Sequence, residues 1–178
     1  MRLSGRDEGI NVVVSSLCAA CDDPEKVIQS IKNIFPEFET SSYENQTFPS
    51  AQKYLITEEN QSMSNFIQIV NDQRILDTTM DHMAFGLSDR NTRFNISRQA
   101  AAAGKIAFPI PGETPFGGVI EIQLIGDDLP QWIEAATWHS GRQYVPRGIG
   151  DEFAMRKDGE VRHWPVSYTH LRAHETSE

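Results

Sequence analysis

A chain of 178 residues with 39% hydrophobic and 23% charged residues is long enough for one domain with its own core, and its composition excludes disorder as the default state. Its 16 basic against 25 acidic residues, a formal net charge of -9, work against any general attraction to polyanions, so a nucleic-acid contact has to be local. The opening MRLSGRDEGINVVVSS lacks the apolar region of a signal peptide, no uncharged run reaches bilayer length, and two cysteines are too few for a disulfide-dependent domain, so the expectation is a cytoplasmic protein with no membrane contact.

The β-branched run INVVVSSL, residues 10–17, predicts a strand. In DDPEKVIQSIKNIF that follows, Asp23 is placed to cap a helix and Pro24 to occupy its first position, with Val27, Ile28, Ile31, Ile34 and Phe35 on one face; Pro36 ends it. After a polar, turn-rich stretch from Glu37 to Ser50, AQKYLITE alternates as a half-buried strand. A long helix is predicted from about Ser64, carrying Phe66, Ile69, Val70, Leu76, Met80, Met83 and Leu87 at the 3.6-residue period, with Gly86 near its end. TRFNIS and GKIAF read as two short strands flanking the alanines, and GGVIEIQLIG as a third, with Ile120, Ile122 and Leu124 on one side. Asp128 is placed to cap a last helix with Leu129, Trp132, Ile133 and Ala136 inward, and Asp158-Gly159 marks a hairpin turn in EFAMRKDGEVRHW.

The expected fold is therefore α+β, in the order β-α-β-α-β-β-β-α plus a C-terminal hairpin. A mostly antiparallel sheet carries its helices on one face, leaving the other free to bind a ligand or a second subunit. VSYTHLRAHET, residues 166–176, is identical to one reading frame of a common transposase-library sequencing adapter. Residues 165–178 are accordingly set aside as non-native, which leaves a single domain over 1–164 and removes His170 and His174 as candidate ligands.

RNTRFNISRQAAAAGK, residues 90–105, holds Arg90, Arg93, Arg98 and Lys105 and no acid, against the grain of the chain. With Phe94 and Ile96 inward, Arg93, Asn95 and Ser97 project together from the other sheet face, where Arg and Asn suit phosphate oxygens and base edges. The alanines and Gly104 leave the backbone bare for close approach. The competing reading is a solvated face whose cations pair with surplus acids. No aromatic platform for base stacking is evident, because Phe94 alternates inward.

Together CDDPEKVIQSIKNIFP, RILDTTMDHM, RFNISRQAAAAGKIAF and PFGGVIEIQL make residues 10–138 resemble an archaeal family of small uncharacterised proteins, uncharacterised protein family 0201. The most specific piece is RQAAAAGKIAF: Gln99, Ala100, Ala101, Gly104 and Lys105 match the family pattern, and Arg98 stands where the family usually has Lys. The resemblance implies a fold similar to that of large-subunit ribosomal protein five and RNA binding by prediction, with no known catalytic residues. The expected function is thus a non-enzymatic RNA-binding domain contacting RNA through Arg90, Arg93, Asn95, Arg98, Gln99 and Lys105. The alternative is a structural or interaction module, such as a homodimer through a sheet face.

Other candidates carry less. Cys18 and Cys21 form CAAC between a strand and a helix, where a redox dithiol would sit, giving a third reading as a small redox protein, but Asp22 and Asp23 beside them disfavour a thiolate. Zinc needs four ligands, and His82, His139 and His163 fall at no paired spacing, so neither metal nor cofactor is expected. Asp77, Asp81 and His82 cluster on the long helix and read as its solvated side. GIGDEF, residues 148–153, resembles a cyclic-dinucleotide synthase signature without that class's upstream metal carboxylates, and no phosphate loop, zinc-protease or nucleophile-elbow motif occurs.

Overall fold

The structure, a computed structural model, describes residues 3–39, 53–110 and 112–151. The hairpin expected around Asp158-Gly159 and the stretch set aside as adapter lie outside the described residues, as does most of the polar segment between Glu37 and Ser50. Four strands, β1 (Asn11–Cys18), β2 (Tyr54–Glu58), β3 (Asn91–Ser97) and β4 (Val119–Ile125), form one antiparallel sheet in the order β2-β1-β4-β3. Among the described residues five α-helices accompany it: α1 (Pro24–Ile34), α2 (Ser64–Asp72), α3 (Leu76–Phe85), α4 (Arg98–Ala102) and α5 (Leu129–Ala136).

Period-two alternation sets the register. Val14 lies opposite Ile122 and Ile122 opposite Phe94, so one row of apolar side chains crosses three strands on the same face. That face joins Ile31, Ile34, Phe35, Phe66, Met80, Met83 and Ile133 of the helical layer in one buried core. Phe66 stacks on Phe35 and meets Phe94 edge-on, which ties α1, α2 and β3 together. The opposite face carries Arg93, Asn95, Glu121, Gln123, Val13, Leu17 and Leu55, and among the described residues no helix covers it. This is the α+β layering expected from the alternation. Among the described residues, no helix is long and apolar enough to cross a membrane.

Two elements differ from the expectation. The predicted long helix is two, broken at Gln73–Ile75: the Arg74 N–H bonds Asn71 O, the Ile75 N–H bonds Val70 O, and Arg74 takes a left-handed φ of 59°. These paired bonds satisfy the last carbonyls of α2 and stop it, with no glycine or proline to announce the stop. GKIAF is not a strand. Ser97 ends β3 and caps α4 by accepting from the Ala100 N–H at 3.4 Å, after which the alanines wind into helix as their propensity favours. The chain then runs irregularly past Ile106, held by the Gln73 amide, which both donates to Ile106 O (2.9 Å) and accepts from the Ile106 N–H (2.8 Å). Asp23 caps α1 as expected, accepting from the Glu25 N–H, whereas Asp128 precedes α5 in a left-handed conformation and makes no side-chain cap bond.

Candidate nucleic-acid interface

The six residues expected to contact RNA divide into three environments. Arg93 and Asn95 are successive outward residues of β3, an edge strand, and both are exposed on the helix-free face. Arg93 Nε lies 3.5 Å from Glu121 on β4, and in the turn before β3 Arg90 pairs with Asp127 at 2.7 Å. Both pairs are open to solvent, where such contacts contribute about 0–1 kcal/mol, so either guanidinium can exchange its partner for a phosphate at little cost. Gln99 and Lys105 are exposed around α4, away from that row; Gly104, at φ 67°, turns the chain so that the Lys105 N–H closes α4 on Ala100 O.

Arg98 corrects the expectation. It is 7% exposed, and its guanidinium donates to Gly117 O (2.6 Å), Leu17 O (2.9 Å), Ser16 Oγ (3.3 Å) and Asp22 Oδ2 (2.6 Å). The planar fork joins the ends of β1 and β4 to the loop before α1, and none of this is offered to an external ligand. The sequence held the sign of this, because residue 98 continues the inward parity of Phe94 and Ile96 while Arg93 and Asn95 point outward.

Cys18 is fully buried, with its thiol toward the carbonyls of Ala19 and Asp22, while Cys21 is exposed, so the two sulfurs do not share a solvent-accessible site. Asp77 and Asp81 are not a solvated side. Asp77 accepts from Arg142 (3.0 Å) and lies 3.0 Å from His139 Nε2, and Asp81 meets Arg147 at 2.5 Å, so one face of α3 anchors the segment 139–151. Burial raises the Asp77 carboxyl, but the bonds from His139 and Arg142 outweigh it and hold the group below its ordinary value. Such ion pairs span more than sixty residues and leave no local sequence signal. His82 stacks on Phe108 with ring centroids 4.3 Å apart, and burial lowers its pKa. Among the described residues, no group of three or more His, Cys, Asp or Glu is placed to hold a metal ion.

One aromatic side chain stands out that strand alternation does not reveal. Phe116, on the turn leading into β4, is 93% exposed, and the only local signal for it is the pair of glycines that follow.

No family model matches the chain. It is similar to a UPF0201 protein of Sulfurisphaera tokodaii, with 32% identity over 101 residues covering 55% of this chain and 67% of the relative. A UPF0201 protein of Methanothermobacter thermautotrophicus is 25% identical over 140 residues, 79% of this chain and 98% of the relative. Among solved structures, the 2.2 Å crystal structure of a UPF0201 protein from Methanococcus jannaschii superimposes with a TM-score of 0.59 at 21% identity, covering 72% of this chain and 99% of that one. The crystal structure of another UPF0201 protein gives 0.57 at 18% identity over 70% and 90% of the two chains. These structural likenesses show the fold.

Proposed function

We propose, from the premise that the chain belongs to the UPF0201 family, that it is a non-enzymatic, cytoplasmic RNA-binding domain using the helix-free face and the β3 edge of its sheet. The observation that carries this reading is the placement of Arg93 and Asn95 side by side on the exposed row of an edge strand, beside Gln123, whose amide donates to Asn91 at 3.0 Å. A cation to neutralise phosphate and neutral amides to meet base or sugar edges are what a sheet face needs to hold RNA. Arg90 and Lys105 extend the cationic set at the two ends of the segment, and Arg98 contributes by fixing the β1 and β4 ends.

The test is fluorescence anisotropy of mixed-sequence RNA across a salt series. Three phosphate contacts, from Arg90, Arg93 and Lys105, predict a log–log slope of about -2 at roughly 0.7 per contact on single strands. Changing the three to Glu should abolish binding. Absence of binding by the unaltered chain at low salt, where attraction is strongest, sinks the reading.

A second reading is favoured by a different observation. Leu17 and Leu55 lie directly opposite each other across β1 and β2, both more than half exposed on the same helix-free face. Two such faces meeting would form a homodimer, with RNA absent. Sedimentation at rising protein concentration separates the two: self-association lost in Leu17→Lys without RNA present favours this module.

A further inference from the structure

A cleft of about 450 Å³ opens between the start of α1, α4 and the turn before β4, bordered by Cys21, Lys26, Gln99, Ala102, Phe116 and Gly117. It is an open groove rather than an enclosed cavity, so a flat ring laid in it keeps one side in solvent. The Phe116 ring at its border stands 93% in solvent, although burying such a side chain would gain about 1.5–3 kcal/mol. The ring is carried on a braced turn. Gly118 donates to Pro115 O, Gly117 and Gly118 take φ of 87° and 82°, and both their carbonyls accept from Arg98, one from its side chain and one from its backbone N–H. A Cβ at Gly118 would sit 3.0 Å from the guanidinium, so the turn fits against Arg98 only as glycine. The backbone that presents the ring is therefore set before any ligand arrives, so binding has only the exposed side chain to order.

The charges of the cleft cancel. Arg98 is committed to Asp22, and Lys26 faces Asp23 at 3.8 Å. A phosphate would find no surplus cation here, whereas an uncharged flat ring finds an aromatic face in Phe116 and, in the exposed Gln99 amide, both a donor and an acceptor for its edge. The cleft and the sheet face are joined through the chain itself: Gly117, at the border of the cleft, is two residues before Val119, which lies opposite Ser97, two residues along β3 from Asn95.

We infer that this cleft takes one unpaired RNA base, stacked on Phe116 and read by Gln99, while the sugar-phosphate strand passes over Asn95 and Arg93. The inference rests on the RNA-binding reading and gives it a substrate class: RNA with an accessible, unstacked base rather than a duplex.

The test compares a fluorescein-labelled polyuridylate with a ribose-phosphate strand of the same length lacking bases, using the full chain and its Phe116→Ala, Phe116→Trp and Gln99→Ala variants. The ring is exposed, so its removal leaves the core intact. The expected result is a loss of about ten-fold or more for Phe116→Ala on polyuridylate only, with the salt slope unchanged, and affinity kept in Phe116→Trp. Gln99→Ala should lose affinity for polyuridylate alone. If Phe116→Ala binds both strands as tightly as the unaltered chain does, the cleft holds no base, although salt-dependent binding would keep the RNA reading. Equal losses on both strands likewise overturn it. If the unaltered chain binds neither strand at low salt, the RNA reading itself fails. Self-association abolished by Phe116→Ala, with RNA affinity unmoved, would assign the ring to a protein contact instead.

Discussion

Arg98 is a buried cation held on every side of its guanidinium. It stands in a run of cations, yet its four acceptors are two backbone carbonyls, a serine hydroxyl and a carboxylate drawn from β1, the loop before α1 and the turn before β4. Removing one partner of a buried ion pair leaves the other uncompensated, so Arg98→Ala should cost about 3–5 kcal/mol in urea unfolding. Arg98→Lys should recover only part, because one ammonium cannot reach acceptors arranged for a planar fork. A loss below about 1 kcal/mol for the alanine variant would place Arg98 among ordinary surface pairs. The charge of this residue is legible from sequence and its direction is legible from strand parity. Its partners are not, because Asp22 lies 76 residues away and only the finished sheet brings it near.

At the scale of elements, two helices end by the same device, and only one of them shows it in the sequence. After α4, Gly104 occupies the left-handed position, with Gly104 N–H bonded to Ala101 O and Lys105 N–H to Ala100 O. After α2 the same pair of bonds forms around Arg74, where a β-carbon makes the left-handed conformation costly. Arg74→Gly should therefore stabilise the protein by about 0.5–1 kcal/mol, less than the full strain because glycine also widens the unfolded ensemble. A raised urea midpoint with unchanged slope checks this, and a lowered midpoint would show that the arginine side chain contributes more than its backbone costs. Leu76 and Met80 resume the stripe in phase with Ile69, so periodicity reports the buried face on both sides of the break, and the only mark of the interruption is the polar pair Gln73-Arg74 where the stripe would continue. The strand assigned to GKIAF went astray for a related reason. Ile106 is buried, but its hydrogen-bonding partner is the side-chain amide of Gln73, and no β pattern distinguishes that from a neighbouring strand.

Among the described residues, two groups couple stability to acid with the same sign. Burial holds His82 below its ordinary 6.5, so the unfolded chain binds more protons than the folded one as pH falls through that value. Stability is then full above about 6.5 and declines below it. Asp77, held below its ordinary 3.8 by His139 and Arg142, contributes stability that is lost only as pH falls below that value. Melting temperature followed from neutral to acid pH should fall in two stages, and His82→Phe, which keeps a ring against Phe108, should flatten the upper one. An unchanged upper stage in that variant would assign the response elsewhere. The one-sided layering was legible at this scale because alternation along β3 and β4 fixes both faces of the sheet. The site was legible in part: Arg93 and Asn95 follow from the same alternation, whereas the Phe116 cleft is assembled from three segments distant in sequence.

The strand order β2-β1-β4-β3 carries a consequence for how the chain is made. Its central pair joins β1 to β4, and Val14 must wait for Ile122, more than a hundred residues later, before either strand is covered on both edges. Until β4 has been synthesised, β1 can pair only with β2, and β3 has no partner among the strands that precede it. At about 5–20 residues per second, a nascent chain spends several seconds with those edges open, so completion of the sheet waits for the synthesis of β4. Contacts of such long range are also the slow ones to form.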